Sequence, residues 1–529
     1  MSKTRAASTL VEAFTRTTEL HASARALLSP AGWLTFEQVS HLAGAANSLF
    51  TDSGAMQGDR VVIVLENSLT ARILDQAVLS SGLVRVAVSP RLHAREIAAI
   101  TADAEAGILC CDVSRVEDLS LACAEAAVSC QVIGFSDAGG GIDLAWLAGH
   151  GNSDVLPVRY VDPSDMAMLM YSSGTTGTPK GAIVTHESWM AQMRNASAHL
   201  PQIDDTDTVV LAAPMQHFGG SIGLDCALWG AATIVLVPFD AAAVLAAVQH
   251  HEATVLPLVP TLLTRLMADL PARPLTPSTL RVIPYGGSPA DTQVLLKAAR
   301  HFPACLTQFY GLAEALAPLA VLSPSDHDRA LGASDGAPST DVVAVERLRS
   351  AGQPVDSVNW RLDGASIQVR GDIVMPGYWR RGSLTEAVLN EGWFSTGDRG
   401  RLDGDGYLYL LDRESDLIIT GGFNVYPGEV EQVIRDIDGI ADVAIVGLPH
   451  PTWGEGIHAF VILNEFGKAR FAEQSLQLKE SVRRACLASL ASYKKPIGLH
   501  VLELLPRNPA GKVDRTALKT IQTFSQLEN

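Results

Sequence analysis

The run YSSGTTGTPKGAIVTH, residues 171–186, decides how the rest of the chain is read. It leaves the apolar segment 166–170 and sets Ser172, Ser173, Thr175 and Thr176 among Gly174, Gly177 and Gly181, with Lys180 near its end. Glycine reaches positive φ without a Cβ penalty, so consecutive amides can turn into one concavity, and such a nest of N–H groups suits an anion. The added hydroxyls and the lysine make that anion a polyphosphate. The spacing is not G-x-x-x-x-G-K-[ST], because Pro179 precedes Lys180 and Gly181 follows it, which disfavours a P-loop NTPase. A flexible Gly/Ser/Thr linker at a strand end is the plainer reading, but linkers seldom carry so dense a set of donors around one lysine.

On either side of this run, helical and strand patterns alternate. Residues 34–50 read as a helix, 59–65 as an apolar strand, 71–83 as a helix and 84–88 as a strand. Beyond the run come a helix over 187–199, a strand over 208–213, a helix over 241–250 and strands over 254–257 and 280–284, the last ending in Tyr285-Gly286-Gly287. Such alternation predicts α/β structure with parallel sheet covered by helices. Residues 361–401 change character, with β-like runs at 366–370 and 393–394 between Gly, Asp and Asn turns, as in a small β subdomain. Near Asp412-Arg413 the pattern resets. Pro427 fits a first helical position, Val430, Val433, Ile434 and Ile437 share one helix face, strands follow at 443–446 and 458–463, and a long helix over 472–492 stops before Pro496. These signals divide the chain into a large N-terminal domain over 1–411, a linker over 412–416 and a small α+β C-terminal domain over 417–529.

A chain of 529 residues exceeds the size at which one core keeps growing, which fits that division. With 47% hydrophobic and 18% charged residues it reads as an ordinary globular protein and not a disordered one. A net charge of −17 argues against a nucleic-acid partner or an anionic membrane surface, so a polyphosphate must be met by local cations. The 7 cysteines form no C-x-x-C pair and read as buried thiols of a reducing compartment, with no disulfide framework or zinc site. The first residues, MSKTRAASTLVEAF, lack the sustained apolar region of a signal peptide. The apolar run around 226–237 is too short for a membrane span. A cytoplasmic location is the expectation.

Four further segments carry chemistry. Phe309-Tyr310-Gly311-Leu312-Ala313-Glu314 puts a ring, a glycine and a carboxylate at a strand end; Ser395-Thr396-Gly397-Asp398 reads as a turn with an exposed carboxylate suited to ribose hydroxyls. Arg413 opens the linker ahead of Gly421-Gly422-Phe423-Asn424-Val425-Tyr426-Pro427, and Pro506 to Arg515 place Lys512 on a Gly/Pro loop. Each alone is usually an ordinary turn. In this order, with the Gly-rich run, they resemble the adenylate-forming superfamily of acyl-CoA synthetases, peptide-synthetase adenylation domains and beetle luciferases. The resemblance spans about residues 34–518, and the segments 421–431, 446–451 and 453–455 are most similar to the fatty-acyl and aryl-CoA ligases.

The resemblance implies that a carboxylate attacks the α-phosphate of Mg2+-bound ATP, pyrophosphate leaves, and the thiol of coenzyme A displaces AMP. It implies that Ser172, Ser173, Gly174, Thr175, Thr176 and Lys180 grip the β and γ phosphates. Glu314 is similar to the family's magnesium carboxylate, with Thr176 beside it. Tyr310 would stack on adenine near Gly286, Gly287 and Gly311, Asp398 would accept from ribose, Arg413 would reach ribose or phosphate, and Lys512 would bridge carboxylate and phosphate. Met215-Gln216-His217-Phe218-Gly219-Gly220 matches the segment lining the acyl pocket, with Tyr285, Gly286, Gly287 and Gly311 opposite; His217 as a packed histidine on a helix start is the alternative. Gly421, Gly422 and Phe423 would line a pantetheine tunnel formed when the C-terminal domain rotates about a hinge at Ser415.

Some positions depart from the family pattern. Ala313 stands where relatives usually carry Thr, Ser415 where they carry Asp or Lys, and the stretch between Gly336 and Gly364 is shortened. A lost hydrogen bond to a charged group is worth about 1.5–3 kcal/mol, so Ala313 predicts slower or rewired adenylation. The absence of Arg and Lys from the pocket segments favours an apolar aromatic, alicyclic or fatty monocarboxylate over a dicarboxylate such as malonate. Alternatives are an acyl-AMP ligase loading a carrier protein's phosphopantetheine and, from another class, a nucleotide-binding protein with weakened catalysis. A homodimer stays open.

Overall fold

The computed structural model describes residues 7–137, 141–150, 160–172, 179–270, 279–332, 339–413, 418–420, 423–425, 427–450, 453–471, 475–490, 492–508 and 512–525. Two compact units result. The first takes residues up to Arg361, Gln368–Thr396 and Leu402–Tyr409; the second takes Leu362–Ile367, Gly397–Arg401 and the chain from Leu410 onward.

The first unit contains a six-stranded sheet in the spatial order Gln131–Phe135, Ile108–Asp112, Arg60–Val64, Val84–Ala87, Met166–Ser172, Lys180–Thr185. Its neighbours pair in parallel except the last two, which are antiparallel. Parallel strands are covered on both faces, which is why Val61, Val62, Ile63 and Val64 form an unbroken buried run. A four-stranded sheet orders Gly32–Thr35, Arg25–Ser29, Ala232–Val235 and Thr208–Leu211; another orders Ile283–Gly286, Leu306–Tyr310, Ala320–Leu322 and Gln353–Pro354. The strand expected at 254–257 is reduced to single bridges, Val255 pairing with both Val209 and Val282.

Caps decide where the expected helices begin. The helix expected from residue 34 is Phe36–Asp52, started by a capping box of Thr35 and Gln38. The helix expected at 71–83 is Leu69–Ser80, because the Ser68 side chain accepts from the Ala71 amide. Helices Leu10–His21, Ala94–Asp103, Val116–Glu125, Pro260–Asp269 and Thr292–His301 have no counterpart in the sequence reading, and Phe218–Leu228 is anticipated only as a helix start at His217. Phe218–Leu228 is apolar nearly all round and buried over most of its length, so it shows no amphipathic period.

In the second unit the long hairpin Ile440–His450 with Gly454–Leu463 is extended by Ile418–Thr420, Phe423–Val425 and the parallel strand Gly498–Val501. Helix Pro427–Arg435 starts on the expected proline and buries Val430 and Ile434 in a cluster with Ile445, Ile457 and Val461. The expected helix over 472–492 is Ser475–Ser489, preceded by an unforeseen helix, Glu465–Phe471. The turn expected at 395–398 is corrected: these residues lie within strand Trp393–Leu402, whose alternating burial turns Asp398 inward to 8% exposure. Among the described residues no helix is long and apolar enough to cross a membrane. The cysteines are free, with Cys130 half-buried and the others buried; burial raises the Cys111 thiol to about 12 and Cys486 to about 11, away from reactive thiolate.

Candidate functional site

Strand Met166–Ser172 leads into the Gly-rich run and Lys180–Thr185 leads out, paired so that Ser172 faces Lys180 and Tyr171 faces Gly181. Gly181 lacks a side chain where a Cβ would lie 3.0 Å from the Tyr171 ring. The Tyr171 hydroxyl donates to Asp103 Oδ2 at 2.7 Å, fixing the entry to the run.

Glu314 follows strand Leu306–Tyr310 by a tight turn in which the Leu312 amide donates to the Ala315 carbonyl, 2.8 Å. Residues 374–379 then strap it to the strand leaving the Gly-rich run. At one end the Met375 amide donates to the Glu314 carbonyl, 2.8 Å, and Val374 bridges Ala315. At the other, Tyr378 bridges Ala182, and the Trp379 amide donates to the Gly181 carbonyl at 2.8 Å. The Tyr378 hydroxyl donates to Glu314 Oε1 at 2.8 Å and accepts from Lys180 Nζ at 3.2 Å. That ammonium sits 4.8 Å over the tyrosine ring and 3.6 Å from Glu314 Oε1. Lys180 and Glu314, singled out separately in the sequence, are thus brought together by Tyr378, which the sequence reading missed. The available signal was an aromatic pair, Tyr378-Trp379, after Pro376-Gly377 in a stretch otherwise read as turns.

The acyl-side candidates divide. His217 is the N-cap residue of helix Phe218–Leu228 and is half-buried. The Phe218 ring meets Phe309 edge-on, centroids 6.2 Å apart, and a Cβ on Gly286 would sit 3.4 Å from Phe218 and 2.4 Å from the Phe309 carbonyl oxygen. Only glycine fits there. Gly287 has φ +91° and open space where a Cβ would point, Gly311 abuts Ala317, and the Tyr310 ring lies 6.3 Å from Trp360. Gly219 faces Ala213. Tyr285 requires correction as a pocket wall: strand alternation turns its ring to the face opposite Gly286, fully buried in the core. Its hydroxyl meets His327 Nε2 at 2.7 Å, while His327 Nδ1 meets the Ser323 carbonyl at 2.7 Å, so Nδ1 carries the proton and Nε2 accepts.

Beneath the 213–217 segment lies a polar anchor the sequence reading did not register. Asn67 donates to the Ala213 carbonyl and accepts from the Met215 amide, each at 2.8 Å, and Arg85 donates to the Met215 carbonyl at 3.1 Å. Asp75 takes Arg85 in a two-point pair, 2.6 and 3.0 Å. The clue was an arginine inside the apolar strand 84–88.

Burial depresses His458, His327 and His186 to about 4, and His186 Nδ1 accepts from the Leu10 amide at 3.2 Å. Their unfolded-state pKa is near 6.5, so the stability each neutral ring contributes is present above that value and lost as pH falls toward 4. Full protonation of the unfolded state corresponds to about 3 kcal/mol for each of the buried His327 and His186. Thermal denaturation should therefore show a melting temperature falling steadily from pH 6.5 to 4.5, with a shallower fall in His327→Gln.

Asp398 is buried, as above, and Lys512 is exposed, its carbonyl accepting from the Asn508 amide at 2.8 Å and its amide donating to Asn508 Oδ1 at 3.0 Å. Ser173, Gly174, Thr175, Thr176, Ser415, Gly421 and Gly422 lie outside the described residues, as do the side chains of Ser172, Arg413 and Phe423.

Residues 14–379 match the AMP-binding enzyme family and residues 429–512 the AMP-binding enzyme C-terminal domain. A 2-succinylbenzoate–CoA ligase of Bacillus velezensis is 33% identical over 392 residues, covering 72% of this chain and 74% of that protein. A long-chain-fatty-acid–CoA ligase of Mycobacterium tuberculosis is 29% identical over 488 residues, 92% of each chain. The o-succinylbenzoate CoA synthetase from Bacillus subtilis, solved with its acyl-adenylate intermediate, matches with TM-score 0.79 and 28% identity over 96% of this chain and 97% of that one. The chain therefore belongs to the AMP-binding enzyme family, in the acyl-CoA and aryl-CoA ligase branch of the adenylate-forming superfamily.

Proposed function

We propose that Lys180, Glu314 and Lys512 carry the first half-reaction of this acid–thiol ligase. A carboxylate oxygen attacks the α-phosphorus of ATP, the bond to the β-phosphate oxygen breaks, and pyrophosphate leaves. In the second half-reaction the sulfur of coenzyme A attacks the acyl carbon, AMP departs and the thiol proton passes to solvent. The observation that carries this reading is the Lys180–Tyr378–Glu314 cluster: a cation at the start of the strand leaving the Gly-rich run, with a carboxylate held beside it.

A magnesium ion fits this donor set. Glu314 is a hard oxygen donor, 9% exposed, and among the described residues its Oε2 accepts no hydrogen bond. When bound, the ion would neutralise phosphate charge; Glu314 and the Thr176 hydroxyl would hold it. Tyr310 stacks on adenine, Asp398 accepts from ribose, Arg413 reaches ribose or phosphate, and Lys512 stabilises charge at the phosphorus. The parts are allotted to a domain over 1–411, a hinge at 412–416 around Ser415, and a domain over 417–529 in which Gly421, Gly422 and Phe423 serve the pantetheine arm. A cytoplasmic enzyme fits the buried thiols.

The acid is an apolar aromatic, alicyclic or fatty monocarboxylate, because Phe218, Phe309 and Gly286 leave an apolar wall and Asp75 already meets the charge of Arg85. A second reading has one observation in its favour. Arg72, buried beside Asp75 and Arg85, leaves Nη1 without a hydrogen-bond partner, as suits an acid with another acceptor group. Pyrophosphate release across fatty, aryl and aromatic dicarboxylic acids, with coenzyme A or a holo carrier protein as acceptor, separates these. Fatty or aryl monocarboxylates should lead by at least tenfold; an aromatic dicarboxylate leading would shift the assignment to the second reading. No release with any acid, despite ATP binding, would sink both.

A further inference from the structure

We propose that Tyr378 is a positioning residue that sets Glu314 and Lys180 against each other before nucleotide binds, holding one carboxylate oxygen so that the other is presented to a divalent cation. The inference rests on the reading of Glu314 as the metal carboxylate and Lys180 as a phosphate group.

Glutamate and lysine are flexible, and a site that must order them on binding loses affinity to that ordering. Tyr378 removes the freedom in advance. Its hydroxyl is bonded to both, donating to Glu314 Oε1 at 2.8 Å and accepting from Lys180 Nζ at 3.2 Å. Each group keeps a function the tyrosine does not use: Oε2 of Glu314 and the remaining ammonium protons of Lys180. When phosphate arrives, Lys180 can exchange its 3.6 Å contact with Glu314 for a phosphate oxygen while Tyr378 still holds the carboxylate.

The tyrosine is itself held on every side. It is 5% exposed, its backbone bridges Ala182, and its amide donates to Thr385 Oγ1 at 2.9 Å. The Trp379 indole next to it donates to the Asp103 carbonyl at 3.1 Å, and Arg381 pairs with the Asp103 carboxylate. Asp103 also accepts from Tyr171, which opens the Gly-rich run. The strap therefore ties the magnesium side of the site and the phosphate side to one fixed point.

A purely packing role would need only the ring, so Tyr378→Phe discriminates. It keeps the ring under Lys180 and removes the hydroxyl. A hydrogen bond to a charged group is worth about 1.5 kcal/mol or more, roughly tenfold in an equilibrium constant. Titration of enzyme into a limiting amount of Mn2+–ATP, with the enzyme-bound complex followed by water-proton relaxation enhancement, should give a dissociation constant about tenfold higher in Tyr378→Phe. The melting temperature should stay within a few degrees of the parent and the KM for the acid should not change. An unchanged Mn2+ constant, or a rise accompanied by a large drop in melting temperature, would overturn the positioning role. Failure of the parent enzyme to bind Mn2+ with ATP would instead overturn the assignment of Glu314 on which it rests.

Discussion

Lys512→Ala is expected to lower acid-dependent pyrophosphate release about a hundredfold to a thousandfold, the range for loss of one preorganised donor at a charge-developing centre. Thioester formation from supplied acyl adenylate should stay near that of the parent, because the charge Lys512 offsets exists only while the carboxylate attacks phosphorus. Lys512 is exposed and its amide and carbonyl both bond Asn508, so alanine removes charge without disturbing a core. Quenched-flow measurement of the two half-reactions checks the split; equal losses in both would reject the role. Lys180→Ala should cause the smaller defect if, as proposed, Lys180 grips the leaving pyrophosphate and Lys512 meets the charge at the attacked phosphorus.

The parts of this protein legible in its sequence are those where one local pattern suffices. The strand into the Gly-rich run, Pro427 at a helix start and the carboxylate after Leu306–Tyr310 were all readable because each depends on residues within a few positions. What escaped depends on contacts between distant segments. Phe218–Leu228 has no polar face to betray its period, because it is covered nearly all round. Tyr285 looked like a pocket residue beside Gly286, yet strand alternation sends it to the opposite face, to a histidine that no spacing rule connects to it. Asp398 looked exposed because Gly397 reads as a turn; φ +72° at that glycine is accommodated inside a strand. Tyr378 was missed for the same kind of reason: its meaning comes from Glu314 and Lys180 at once.

That dependence makes Glu314→Gln the other large expected effect. Glutamine is nearly isosteric and its carbonyl oxygen can still accept from Tyr378, so the strap and the fold should survive, with a melting temperature close to the parent's. What disappears is the negative charge. Lys180 loses the carboxylate 3.6 Å from its ammonium, and on the proposed reading a divalent cation loses its anionic oxygen donor, which a neutral amide replaces poorly. Pyrophosphate release should fall by about a hundredfold or more, within the range for lost electrostatic stabilisation at a reacting phosphate, and raising Mg2+ should recover part of it. The recovery is the discriminating measurement. If Glu314 only neutralised Lys180, its loss would leave Lys180 freer to hold phosphate, ATP would bind no worse, and the defect would not respond to Mg2+. Partial rescue by metal, together with the Mn2+ weakening expected of Tyr378→Phe, would place both residues on the cation side of the reaction. Absence of rescue would leave Glu314 as the structural counter-ion of Lys180.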